Sequence, residues 1–158
     1  MMTSPKSLSR SSSSAVSATA VVSSLLTVQT SGRGFTDLTA EIAKFVKDAR
    51  AKEGAVTLFV RHTSASLTIQ ENADPAVLDD LTTALDRLAP EDAGWSHDTE
   101  GSDDMPAHVK TMLTSTSLQI PVLKGELALG TWQAMYLLEH RRRPHRREIV
   151  LQFAGVIR

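Results

Sequence analysis

The hydrophobic and polar positions change period several times along the chain, and each change marks an element. From Val21 the run VVSSLLTVQT has strand character and leads to a turn at Gly32-Arg33-Gly34. Leu38, Ile42, Phe45, Val46 and Ala49 fall at i, i+4, i+7, i+8 and i+11, one face of a helix. Thr36 or Asp37 is the expected N-cap and Gly54 the expected terminator. AVTLFVR then alternates Val56, Leu58 and Val60 against Thr57, Phe59 and Arg61, and SLTIQE alternates Leu67 and Ile69 against Thr68 and Gln70, so both read as strands.

After Asp74-Pro75, an N-cap followed by a first-turn proline, Val77, Leu78, Leu81, Leu85 and Leu88 line one side of a second helix. Met105, Val109, Met112 and Leu113 mark a short third helix, with Asp103 or Asp104 at its start, where negative charge is favoured. Alternation returns at Leu118, Ile120 and Val122, Lys124-Gly125 makes a hairpin turn, and ELALG, WQAMYLLEH and REIVLQFAGVI read as further strands. Strands at both ends, helices between and a late hairpin predict an α+β fold, not a doubly wound α/β one.

The first twenty residues, MMTSPKSLSRSSSSAVSATA, are serine-rich, carry Lys6 and Arg10 and have no acid. Such a stretch buries too little apolar surface to offset its ordering entropy, so residues 1–20 are expected to be a disordered tail and 21–158 a single domain. A cytoplasmic protein is expected; the basic tail also fits an organelle-targeting peptide, the alternative.

A chain of 158 residues buries a core without staples, so stability need not depend on histidines. With no cysteine, thiolate catalysis, zinc–thiolate sites and disulfides are excluded, and any metal must take nitrogen and oxygen ligands. The net charge of −1 and the lack of a long apolar run argue against nucleic acid and membrane as partners. Charge is nevertheless uneven: residues 91–104 hold six acids and no Lys or Arg, and residues 141–147 hold Arg141, Arg142, Arg143, Arg146 and Arg147 and no acid. The two runs either pair with each other or are separate solvated loops.

Three stretches concentrate polar side chains: HTSASLTIQENAD (62–74), HDTEGSDDMPAHVK (97–110) and GTWQAMYLLEHR (130–141). If the third helix begins at Asp104, then Asp104 and His108 stand at i and i+4, carboxylate beside imidazole. A carboxylate on one ring nitrogen fixes the tautomer and frees the other nitrogen for a metal or a proton. His97, on a glycine-containing loop, can reach the same point. Imidazole and carboxylate donors suit a divalent ion such as Zn²⁺, although this spacing is not itself a metal signature.

Together, the three motifs resemble those of the YjbQ-like family in order and spacing, over about residues 21–154. The resemblance implies a mixed, mainly antiparallel β-sandwich-like α+β domain with two to three helices, a homotrimer around a threefold axis, and sites near subunit boundaries. It also implies an activity like that of a secondary thiamine-phosphate synthase, which joins a pyrimidine diphosphate to a thiazole phosphate and releases pyrophosphate. Such a reaction takes a small phosphorylated metabolite and suits a divalent metal, Zn or Mg. A metal- or phosphate-binding module without catalysis, and a metal-dependent hydrolase of a phosphorylated metabolite, are the competing readings.

Carried onto this chain, the resemblance implies His62, Glu71, Asp104, His108 and Glu139 as catalytic residues. Thr63, Ser64, Asn72, Lys110, Gln133 and Arg141 are implied in substrate binding, and His62, His97 and His108 as metal ligands. Some relatives carry Cys in the first motif where this chain has Ala65, and the ending AGVIR departs from the glycine-glutamate ending of others.

Overall fold

The computed structural model describes residues 8–158; the part of the expected tail that covers residues 1–7 lies outside the described residues. Residues 8–19 are in neither helix nor strand, and order begins with strand β1, Ala20–Gln29. There follow β2 (Gly34–Asp37), helix α1 (Thr39–Asp48), β3 (Ala51–Val60), β4 (Ala65–Glu71), α2 (Pro75–Leu88) and α3 (Asp104–Leu113). The chain ends with β5 (Ser117–Leu123), the two-residue β6 (Glu126–Leu127), β7 (Gln133–Glu139) and β8 (Arg146–Ile157).

All strand pairs are antiparallel and form two sheets, β1-β8-β3-β5-β6 and β2-β7-β4. The fold is α+β, as the alternating pattern predicts. The apolar face of the five-stranded sheet (Val56, Leu58, Ile120, Ile149, Leu151, Phe153) meets Leu67, Met135 and Leu137 of the three-stranded sheet and Ile42 and Val46 of α1 in one core. On the other face of the small sheet, Ala134, Tyr136 and Leu138 pack with Phe35 and with Leu78 and Leu85 of α2. Strand β7, apolar at every position from Ala134 to Leu138, therefore lies between two layers. Its unbroken apolar run is what burial on both faces demands.

Two boundaries differ from the sequence reading. Helix α1 ends at Asp48 and is closed by Arg50 in the left-handed region (φ 52°), not by Gly54. Gly54 lies inside β3, where a Cβ would fall 2.3 Å from the Ala154 carbonyl oxygen; glycine is needed there for the approach of β8. At the other end of α1, Thr36 belongs to β2 and the N-cap position falls on Leu38, while the Asp37 carboxylate accepts from the Thr39 N–H at 2.8 Å. ELALG pairs over only two residues. The Lys124-Gly125 turn is present with both residues at positive φ, as a two-residue hairpin of matching twist requires. Among the described residues, no helix is long and apolar enough to cross a membrane.

Candidate functional site

Helix α3 begins where a tightly held loop ends. The Trp95 indole N–H donates to the Pro90 carbonyl at 2.8 Å and pins the connection from α2. The backbone bond from Asp104 N–H to the Gly101 carbonyl (3.1 Å) then turns the chain into the helix. Asp104 is 4% exposed at its side chain, and its two oxygens face different ways. Oδ1 is bound by the Arg141 guanidinium. Oδ2 lies 2.7 Å from His97 Nε2 and 3.5 Å from His108 Nε2.

His108 Nδ1 sits 3.0 Å from the Thr63 carbonyl oxygen. A carbonyl only accepts, so Nδ1 carries a proton, and Nε2 is the nitrogen left to bind a metal. The imidazoles are 44% and 34% exposed, with ring centroids 5.6 Å apart. Two imidazole nitrogens and one carboxylate oxygen thus lie within 4.8 Å of one another at an accessible surface. Small rotamer shifts bring such donors to the ~2.1 Å of a Zn²⁺ shell, and the set leaves positions open for water or substrate. Two imidazoles favour Zn²⁺ over Mg²⁺, which prefers oxygen.

The acidic and basic runs do meet. Arg141 also holds Asp103 Oδ2 through Nε at 3.2 Å and donates to the Glu100 carbonyl at 2.8 Å, and the Arg142 N–H donates to Asp103 at 2.8 Å. Burial pushes the Asp103 carboxyl up, but these donors prevail and hold it below the usual carboxylate range. Arg142 reaches Glu91 at 2.6 Å. Beside this lattice a cleft of about 470 Å³ is lined by Glu100, Asp103, Arg141, Arg142 and Arg143. With its guanidinium occupied, Arg141 is placed to position carboxylates rather than to receive substrate; the exposed cations are Arg142 and Arg143.

Other expected site residues fall elsewhere. His62 is not in the group. Its Nε2 accepts the Glu148 N–H at 2.8 Å, and burial, with Arg147 nearby, lowers its pKa, which suits a neutral acceptor. Glu139 is sealed in the interior, accepting from Arg147 at 2.5 and 2.6 Å, from Thr30 at 2.9 Å and from the Arg141 N–H at 2.9 Å. Burial pushes its carboxyl up; Arg147 and the other donors outweigh this and leave it below the usual range. The same Arg147 holds Ser64 through its hydroxyl and carbonyl at 3.1 and 3.2 Å. Lys110 is buried and paired with Asp86. Both Glu139 and Lys110 are therefore out of reach of a ligand at the histidines.

Glu71, Asn72 and Gln133 stand at the far end of the β4–β7 pair: Ala65 faces Glu139 and Glu71 faces Gln133, a separation of about 20 Å at ~3.3 Å per residue. There the Asn72 N–H donates to the Trp132 carbonyl at 3.0 Å, Gln133 Oε1 accepts the Gly130 N–H at 2.8 Å, and the Trp132 side chain is exposed. The first and third motifs thus meet at both ends of one strand pair, and the second joins them at one end only.

Sequence reasoning missed His140. Its Nε2 lies 2.7 Å from the buried Ser66 hydroxyl, and burial, with Lys110 second, lowers its pKa to about 4. Its place directly after a strand that is apolar on both faces was the available signal.

An α+β protein of two antiparallel sheets with a surface His–Asp–His group is the class this geometry defines. Residues 24–156 match the family described as UPF0047 protein YjbQ-like. A UPF0047 protein of Synechocystis is 48% identical over 84% of this chain and 91% of its own length, and the UPF0047 protein YjbQ of Escherichia coli is 42% identical over 82% and 95%. Among solved structures, a YjbQ/UPF0047 family protein from Clostridium acetobutylicum superposes with a TM-score of 0.76 at 35% identity, covering 82% of this chain and 98% of that one. A conserved protein of Thermus thermophilus gives 0.72 at 37%, covering 81% and 97%. The chain belongs to the YjbQ-like UPF0047 family.

Proposed function

We propose that this protein is a metal-dependent enzyme acting on a phosphorylated small metabolite, with transfer of the thiamine-phosphate synthase type as its reaction. The observation that carries the reading is the group of His97 Nε2, His108 Nε2 and Asp104 Oδ2 within 4.8 Å of one another. In such a transfer a thiazole nitrogen forms a bond to the pyrimidine methylene carbon while the carbon–oxygen bond to diphosphate breaks, its electron pair leaving on oxygen. The charge to be stabilised grows on the leaving diphosphate, and no proton moves in that step. A divalent cation held by His97, His108 and Asp104 neutralises part of that charge when bound. Arg142 and Arg143 on the neighbouring cleft supply further positive charge, and Arg141 fixes the carboxylates.

A homotrimer is part of the same proposal. The outer face of the five-stranded sheet carries the rows Leu25–Val150–Phe59–Ser117, Ser23–Gln152–Thr57–Gln119 and Val21–Ala154–Ala55–Pro121, with no charged side chain among them. Such a face suits burial against another copy.

The test is thiamine phosphate formation from the two substrates by purified protein, with metal content and mass in solution measured on the same sample. The reading expects about one Zn²⁺ per chain, a trimeric mass, and loss of both metal and activity in His97→Ala and His108→Ala. Product formed at the same rate by both variants overturns the assignment of residues. No product from metal-loaded trimer overturns the reaction, and release of phosphate without transfer marks a hydrolase instead.

A further inference from the structure

Helix α2 differs from the other two helices in how it is seated. Although Leu78, Leu81 and Leu85 share its inward side at i, i+3 and i+7, none of its residues is fully buried. Its polar tether is one carboxylate: Asp86 pairs with Lys110 of α3 and with Arg33, at 3.5 Å. A further cavity of about 530 Å³ borders Phe35 and Leu78, so the helix meets the sheet along a narrow ridge.

Between α2, the end of α3 and the small sheet lies a cleft of about 310 Å³. Its walls are unlike each other. Phe35, Leu81 and Leu138 make an apolar side, while Thr68 and Gln70, two apart on β4, and Ser115 make a polar one, and no charged side chain lines it. The Thr114 hydroxyl in the same cleft is already bound to Ser66 at 2.6 Å and to the Lys110 carbonyl at 2.7 Å. Among the described residues, the Thr68 and Ser115 hydroxyls and the Gln70 amide make no such bond to protein and are partly exposed, so they can meet a ligand. The cleft shares no residue with the His97–Asp104–His108 group.

We propose that this cleft is a separate binding site for a small uncharged molecule with an apolar body and one hydrogen-bonding edge. The volume is at the lower end of those of small-molecule pockets, and the cleft opens to solvent beside Leu113. The lining sets the charge: an ion entering it would lose its hydration with no counter-charge in return. Gln70, Thr68 and Ser115 orient the polar edge, and Phe35 and the leucines cover the rest.

A matched pair of dyes tests the charge and the location together. N-phenylnaphthylamine is neutral and carries one N–H, and anilinonaphthalene sulfonate is the same ring system with an anion attached. Titrated into the full chain and excited directly, the neutral dye is expected to bind saturably at one site per chain, at least about tenfold more tightly than the sulfonate. Leu81→Trp, which fills the cleft from the helix side, removes that binding while metal content at the histidines is unchanged. If Leu81→Trp loses its near-UV circular dichroism, Gln70→Trp fills the cleft from the opposite wall. Equal binding of both dyes overturns the proposal, as does neutral-dye binding that survives in a folded, filled variant. Dye affinity that falls as protein concentration rises would assign the cleft to a second copy and overturn it too.

Discussion

Two buried carboxylates in this chain have the same partners in kind and different spare capacity. Asp104 and Glu139 each take an arginine and each has a histidine within 4.0 Å. At Glu139 every oxygen is spent on internal donors, and the side chain is 1% exposed. At Asp104 one oxygen is spent on Arg141, and the other faces two accessible imidazoles. The chemistry of the groups does not separate the roles. Spare acceptor capacity does: both carboxylates are buried, but the one filled by internal donors holds elements together, and the one with an oxygen left facing partly exposed imidazoles can take a cation with them.

The contrast is broken most severely from the Glu139 side. Glu139→Ala leaves Arg147 charged and unpaired in the interior, at a cost of about 3–5 kcal/mol, read as a fall in the urea midpoint. A variant of wild-type stability would show that the pair is not structural. Next in size is the pH response of His140. Its folded pKa of about 4 lies below the unfolded value of 6.5, so the unfolded chain binds the proton first as pH falls. Its contribution is complete above pH 6.5 and is lost on the way down to about 4, on the order of 3 kcal/mol, and His140→Gln should flatten that part of the stability curve. Glu139, depressed by its donors, contributes above the ordinary carboxylate range and loses that contribution only at lower pH, so the two windows are separable.

At the open site the effects are on binding, not on folding. His108→Ala should weaken Zn²⁺ binding by roughly a hundredfold or more by calorimetry, about 3 kcal/mol, with unfolding changed by less than about 1 kcal/mol because the ring is partly exposed. Arg141→Lys keeps the charge but not the forked geometry that spans Asp103, Asp104 and the Glu100 carbonyl, and about a tenfold loss of metal affinity is expected. If Arg141→Lys weakened the metal more than His108→Ala, the ligands would have been assigned to the wrong residues.

Much of the fold was legible in local pattern. The periodicity from Leu38 and from Val77 found α1 and α2, Lys124-Gly125 found a hairpin, and strand alternation found the faces of β3 and β5, because burial on one face imposes periods of 3.6 and 2 on any chain that folds. Helix ends were less legible: Arg50 closes α1 in a conformation usually left to glycine, while Gly54 is required by the approach of a strand a hundred residues later. The i, i+4 placement of Asp104 and His108 was local as well and could be read in advance.

What the sequence determined by itself was the inventory: strand-like runs with a hairpin that implies antiparallel pairing, amphipathic helices, no thiol, and three polar motifs in order. Which of those polar residues face one another was decided only by the tertiary structure. The register of β4 against β7 sends Glu71 and Gln133 about 20 Å from Glu139, and β8 turns His62 toward the Glu148 amide rather than toward His97. Packing likewise divides Asp104 from Glu139: both are buried, but internal donors fill the oxygens of Glu139 while one oxygen of Asp104 faces two partly exposed imidazoles, a difference set by what folds against each group and not by the residues beside it in the chain.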